Sequence, residues 1–265
     1  MKIGVFDSGV GGITVLSELR RRLPTARFVY LGDTANLPYG TKSATHVKRL
    51  SRDCAETLKA EGIDAVVVAC NTASALALDE IRQTMGSIPV FGVVEPGVEA
   101  VQAALHTHLT PAGGAPVPVL LLATQATVKS GVYARLLEQA IGYPPLLQAC
   151  PLLVPIIEEG WVDHPVLHQT IAAYVDQHRQ GVATGIALLG CTHYPWVQAA
   201  FERALPGWTI INSAQAVAAA VVRSDWYAQW SVPGDPTPSG GAAPAPVEWI
   251  FTDPEAVPDF AARWV

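Results

Sequence analysis

The feature that most constrains the fold of this chain is an alternation of short, continuously apolar runs with longer amphipathic stretches. The apolar runs have the length of strands and span residues 3–6, 28–31, 65–69, 90–93, 119–123 and 186–189. The amphipathic stretches have the length of helices and span residues 13–23, 43–61, 74–85, 131–141, 165–179 and 214–230. Strands that are apolar at every position are typical of a parallel sheet covered by helices on both faces. The alternation therefore predicts an α/β fold.

Size and charge exclude several classes of protein. The 265 residues suit one large α/β domain or two of ordinary size, and half of them are hydrophobic. A formal net charge of -6 without a basic stripe argues against a nucleic-acid partner. No apolar run approaches the roughly eighteen residues that span a bilayer, and the start lacks the pattern of a secretory signal. We therefore expect a cytoplasmic protein without membrane association.

The four cysteines lie far apart in the chain and form no C-x-x-C pair. This spacing argues against a zinc site or a thioredoxin-type motif, and we expect free thiols in a reducing cytosol. Cys54 lies in a helical stretch and Cys150 precedes Pro151, so both are predicted to be small buried side chains.

Cys70 and Cys191 instead each follow an apolar strand, in the strings Ala69-Cys70-Asn71-Thr72 and Gly190-Cys191-Thr192-His193. Cys70 follows the predicted strand at residues 3–6, and Cys191 follows the predicted strand at residues 119–123, by a similar number of residues. This weak repeat predicts two similar α/β halves, each with one thiol at the end of a strand. Chance resemblance among α/β units is the alternative.

Polar residues collect after the predicted strands, where open α/β sheets bind their ligands. They are Asp7, Ser8, Tyr39, Gly40, Asn71, Thr72, Thr192 and His193. Simple helix capping is the alternative for the hydroxyl and amide side chains among them. Their convergence on both cysteines favours a site that binds a carboxylate.

Two equivalent cysteines favour one kind of chemistry over another. A cysteine at a helix N-terminus has a lowered pKa, so we expect thiolate near neutral pH. Nucleophilic catalysis needs one such cysteine with a histidine and an acid. Stereoinversion needs two groups, because one removes a proton from one face of a carbon and the other delivers a proton to the opposite face.

Five strings in order make the pattern specific, although each alone is weak. They are Phe6-Asp7-Ser8-Gly9-Val10-Gly11-Gly12, Pro38-Tyr39-Gly40, Ala69-Cys70-Asn71-Thr72-Ala73, Cys150-Pro151-Leu152-Leu153-Val154-Pro155 with Glu158, and Gly190-Cys191-Thr192-His193-Tyr194-Pro195. Over residues 2–213 the chain resembles the glutamate racemase family. The glycine-rich string lacks the G-x-G-x-x-G spacing, so we reject NAD as a cofactor.

The resemblance implies two α/β domains that face each other across a cleft, residues 1–95 with 213–265 and residues 96–212. It implies that Cys70 and Cys191 exchange the α-proton of glutamate without metal or cofactor, Cys70 serving D-glutamate and Cys191 serving L-glutamate. It also implies supporting roles for Asp7, Glu158 and His193, and glutamate contacts from the eight polar residues named above. Glu158 has Glu159 beside it, so a solvated surface position is its alternative. The product would be D-glutamate for peptidoglycan, and a homodimer is left open.

Other functions were weighed against this one. An aspartate or hydantoin racemase is the nearest rival, and Thr192-His193-Tyr194-Pro195 favours glutamate. A cysteine-dependent amidohydrolase would leave Cys191 unexplained, and a binding module would need neither thiol. Residues 110–118 and 232–247 are predicted loops, and the tail around Thr252 departs from the family pattern.

Overall fold

The structure, a computed structural model, describes residues 1–107, 116–230 and 246–261. Its strands in chain order are β1 (Lys2–Asp7), β2 (Arg27–Gly32), β3 (Ala65–Val68), β4 (Val90–Gly92), β5 (Val119–Ala123), β6 (Leu146–Ala149), β7 (Ile186–Gly190), β8 (Thr209–Asn212) and β9 (Val247–Phe251). They form a sheet of order β4-β3-β1-β2-β9 and a sheet of order β6-β5-β7-β8. Every pairing between them is parallel. The predicted α/β fold with two parallel sheets is confirmed.

The α-helices connect and cover these sheets. In chain order they are α1 (Ile13–Arg22), α2 (Ala44–Ala60), α3 (Asn71–Leu76), α4 (Leu78–Met85), α5 (Val94–Thr107), α6 (Gln125–Lys129), α7 (Val132–Ile141), α8 (Leu153–Glu158), α9 (Pro165–Arg179), α10 (Gln198–Ala204), α11 (Ser213–Arg223) and α12 (Asp225–Ala228). Two predicted helices are interrupted. One breaks at Ala77, between α3 and α4, and the other at Ser224, whose extended backbone and side chain cap α12.

Each sheet is buried on both faces, as the apolar strands predicted. Ile3 and Val5 of β1 lie in one core with α1 and α11, whereas Phe6 lies in the opposite core with α2. Successive residues of a strand point to opposite faces, so a strand between two helical layers must be apolar throughout. The second sheet likewise separates a core that includes α9 from a core that includes α5 and α7.

The two sheets share one strand order. The second sheet read as β8-β7-β5-β6 repeats the β4-β3-β1-β2 order of the first, to which β9 adds an edge strand. In such doubly wound sheets the crevice opens where the strand order reverses, here between β1 and β3 and between β5 and β7. The two cysteine strings follow β3 and β7, and thus lie at these points.

Some predicted features lie outside the described residues. The predicted loops at 110–118 and 232–247 lie mostly outside the described residues, but Val247 is described and begins β9. Within the described part of the chain, no helix is both long and apolar enough to cross a bilayer.

Candidate active site

Residues from both sheets enclose one narrow pocket of about 20 Å³. Its lining consists of Ser8, Pro38, Tyr39, Gly40, Cys70, Asn71, Thr72, Thr124, Val154, Cys191, Thr192 and His193. The structure therefore brings both cysteines and most of the predicted binding residues to one place. Asp7 and Glu158 lie behind this lining and contact it through hydrogen bonds.

Cys70 follows β3 and caps the six-residue helix α3. Its Sγ accepts a hydrogen bond from the N–H of Ala73 at 3.4 Å and donates one to Oγ of Ser8 at 3.5 Å. Burial, followed by the negative charge of Asp7, raises the pKa of the Cys70 thiol to about 12. The expectation of a lowered pKa is thus wrong for Cys70, because the loss of water outweighs the effect of one short helix.

Cys191 follows β7 and leads through a turn into a 3₁₀ helix, Tyr194–Val197, rather than into an α-helix. Its Sγ lies 3.9 Å from Nδ1 of His193, and Nε2 of His193 lies 2.9 Å from Oε1 of Glu158. Burial lowers the pKa of His193, but Cys191 and Glu158 overcome this effect and raise it to about 10. At neutral pH the imidazole is therefore protonated and can donate to both partners. Glu158 belongs to this chain of contacts and is not a solvated surface group.

Asp7, the last residue of β1, is completely buried. Its carboxyl oxygens accept hydrogen bonds from the N–H of Gly9 at 3.0 Å and from the hydroxyl of Thr192 at 3.3 Å. Burial raises the pKa of Asp7, while the positive charge of His193 opposes that shift. Asp7 therefore links the thiol of the first half to the histidine of the second half.

The glycine-rich string after β1 permits close approach of the two halves. A Cβ on Gly11 would lie 2.5 Å from Nδ1 of His193, closer than real side chains come. The hydroxyl of Thr14, one turn on, is 2.9 Å from the carbonyl of Thr192. Gly11 thus allows close contact between the two halves.

The loops after β3 and β5 meet through hydroxyl and amide groups. The hydroxyls of Thr72, Thr124 and Thr127 form a triangle with edges of 2.9 to 3.0 Å. Asn71 accepts a hydrogen bond from the hydroxyl of Tyr133 at 2.6 Å. The Nδ2 of Asn71 is buried and has no hydrogen-bond partner among the described residues. An unpaired buried donor is costly, so a ligand atom is its natural partner.

Tyr39 and Gly40 both line the pocket, but their contacts differ. The hydroxyl of Tyr39 donates to Oδ2 of Asp33 at 2.6 Å. A Cβ on Gly40 would lie 2.7 Å from the Cβ of Thr124, so only glycine allows this turn to contact the second half.

Sequence reasoning missed three residues of the site, Thr124, Thr127 and Val154. Thr124 follows β5 as Ser8 follows β1, and the predicted repeat contained this signal. Val154 is an apolar residue of a short helix and lies in one of the five strings, but an apolar side chain alone does not indicate a site.

Comparisons with known proteins identify the family of this chain. The model of the Asp/Glu/hydantoin racemase family matches residues 13–221. The glutamate racemase of Aquifex aeolicus is 44% identical over 82% of this chain and 81% of its own length. A similar solved structure is glutamate racemase from Thermus thermophilus in complex with β-chloro-D-alanine, which is 40% identical to this chain and has a TM-score of 0.80. The match covers 99% of this chain and 92% of that one. The Francisella tularensis glutamate racemase in complex with D-glutamate is 26% identical, with a TM-score of 0.82 and the same coverage. The chain belongs to the Asp/Glu/hydantoin racemase family.

Proposed function

We propose that this chain is a cofactor-independent glutamate racemase in which Cys70 and Cys191 are the two acid–base groups. The observation that carries the proposal is that both thiols line one buried pocket, each from the end of an inner strand of its own sheet. A single-thiol mechanism would not require this symmetry.

In the proposed reaction one thiolate takes the α-proton, so a Cα–H bond breaks and an S–H bond forms. The thiol on the other side then gives its proton to the opposite face of the carbanion. The pocket is small and largely shielded from water, which strengthens every electrostatic interaction inside it. His193, protonated at neutral pH, is the nearest positive charge to Cys191.

Seven of the eight polar residues predicted from the sequence line the pocket and remain the proposed glutamate contacts: Ser8, Tyr39, Gly40, Asn71, Thr72, Thr192 and His193. The free Nδ2 of Asn71 supports a carboxylate contact there. Asp7 lies behind the lining, so we assign it an electrostatic role through Thr192 and the chain around Gly9.

We also propose the domain division at residues 1–95 with 213–265 and residues 96–212. The burial of α11 against the first sheet and of α5 against the second supports it. Supply of D-glutamate for peptidoglycan, a cytoplasmic location and the absence of a cofactor stay predictions, and a homodimer stays open.

The experiment that tests the function is circular dichroism of purified enzyme with each enantiomer of glutamate and of aspartate. We expect loss of optical activity with both glutamates, without added cofactor and after dialysis against a chelator. Cys70→Ser and Cys191→Ser are expected to lose racemisation by at least about 100-fold in both directions, because each direction uses both groups. Turnover of aspartate in preference to glutamate would contradict the substrate assignment.

A further inference from the structure

We propose that Asp33 and Thr252 are positioning residues that hold the Tyr39–Gly40 turn against the pocket, an inference that rests on the proposed racemase function. Neither residue lines the pocket. Both line a separate cavity of about 210 Å³.

Asp33 is the centre of this arrangement. It follows β2, is only 1% exposed, and its N–H donates to the carbonyl of Asp7 at 3.0 Å. Its side chain accepts three hydrogen bonds, from the hydroxyl of Tyr39 at 2.6 Å, the hydroxyl of Thr252 at 2.8 Å and the amide of Asn36 at 3.0 Å. A buried carboxylate with three donors fixes the position of every group that donates to it.

Tyr39 transmits this position to the pocket. Burial raises the pKa of Tyr39 far above its usual range, so the phenol keeps its proton and stays a donor. Because the hydroxyl is bound to Asp33, it is not directed at a ligand. The remainder of Tyr39 and the adjoining Gly40 form the wall. Gly40 already lies against Thr124, so a small displacement of the turn changes the width of the pocket.

The C-terminal segment, which is distant in sequence, also holds the loop that carries Tyr39. The N–H of Thr252 donates to the carbonyl of Gly32 at 3.2 Å, and the hydroxyl of Thr252 accepts from the N–H of Ala35 at 2.9 Å. The N–H of Asp253 donates to the hydroxyl of Thr34 at 2.9 Å. These bonds continue the parallel pairing of β9 with β2 beyond the strands. The tail that departs from the family pattern is thus bonded to the loop that carries Tyr39.

The test uses Thr252→Val and Tyr39→Phe, which remove one hydroxyl each and keep the side-chain shape. We expect each to raise the KM for glutamate about tenfold, the effect of one lost hydrogen bond, with a smaller change in kcat. A defect limited to folding would lower the amount of active enzyme, and so the apparent kcat, without changing KM. Thr252→Ser keeps the hydroxyl and is expected to restore the KM. Thr57→Val is the matched control, because Thr57 lines the same cavity but bonds only the carbonyl of Asp53.

The double variant tests whether Thr252 and Tyr39 act through one hydrogen-bond network or independently of each other. If Asp33 links the two hydroxyls, the KM of Thr252→Val with Tyr39→Phe should be well below the product of the single effects. Should Thr252→Val fail to fold, Tyr39→Phe and Thr252→Ser still decide the question through KM. Unchanged KM in Tyr39→Phe, or strictly multiplicative effects, would overturn the proposal while wild-type racemisation persisted. Absence of racemisation in the wild-type enzyme would instead contradict the proposed function.

Discussion

Cys70 and Cys191 have unlike electrostatic surroundings at the residue scale. Cys70 lies beside Ser8 and is influenced by the negative charge of Asp7. Cys191 lies beside His193, whose pKa Cys191 and Glu158 together raise to about 10. The two enantiomers have equal free energies in water, so kcat/KM must be the same in both directions. The asymmetry can therefore make kcat and KM each differ between the two directions, whereas kcat/KM stays the same in both.

Replacing Glu158 by Gln tests the contact that keeps His193 charged. The pKa of His193 should fall from about 10 toward 6.5, because one of the groups that raise it loses its charge. We expect kcat/KM to fall by about 10- to 100-fold at pH 8, equally for L- and D-glutamate. NMR titration of the His193 ring and rate measurements in both directions check this. Glu159→Gln, on the neighbouring exposed residue, is the control.

The raised pKa of His193 also makes the free energy of unfolding depend on pH. Because the pKa of His193 is raised above its unfolded value, its contribution to the free energy of unfolding is complete below pH 6.5 and is lost as pH rises to about 10. Denaturant unfolding at pH 6 and pH 10 should show a smaller loss in Glu158→Gln than in the wild type. An equal loss in both proteins would mean that Glu158 does not hold the proton on His193.

At the scale of elements, the sequence predicts best those strands that are buried on both faces, because such strands are apolar at every position. The inner strands β1, β2, β3, β5 and β7 were all predicted, and both cysteines follow inner strands. The short edge strands β6 and β8 were missed, because exposure on one side removes the continuous apolar signal. Helix α5 was not predicted, and its sequence contains Pro96 and Gly97, which disfavour a helix interior, although proline is tolerated in a first helical turn. Asp33 was missed as part of the site because its partner Thr252 is 219 residues away.

The loop between β1 and α1 gives a prediction at the same scale. Gly11→Ala should lower the free energy of unfolding by about 1 to 3 kcal/mol and nearly abolish racemisation, because its methyl group would displace His193 and Thr192. Gly97→Ala is the matched control. Its Cβ would meet only ordinary contacts at 3.5 Å or more, and a helical alanine should stabilise α5 by up to about 1 kcal/mol. Equal stability and activity in the two variants would contradict the assigned role of Gly11.

At the scale of the whole molecule, the pocket is nearly closed. Its volume of about 20 Å³ is close to that of the smallest cavity that holds one water molecule. The hydroxyl triangle and the Gly11 and Gly40 contacts join the two halves around it. Glutamate is much larger than water, so we expect the pocket to widen when it binds.

Alkylation of the buried thiols with iodoacetamide measures this widening. Cys70 and Cys191 should react slowly and be protected by glutamate, because they become accessible when the pocket widens. Cys150, which is only 1% exposed and lies within a core of the second sheet, should react only on global unfolding. Mass spectrometry of each cysteine gives the rates. The same rate at all three cysteines would show that opening does not occur along the pocket.

The central claim is that the two thiols act on opposite faces of one carbon, and elimination from β-substituted glutamates tests it most directly. A single thiolate suffices for this reaction, since the leaving group departs once the α-proton is removed and no second proton transfer is needed. Cys191→Ser should eliminate from the D-analogue only and Cys70→Ser from the L-analogue only, as measured by product formation with each pure enantiomer. The same preferred enantiomer for both variants would place the cysteines on one face of the substrate and contradict the mechanism.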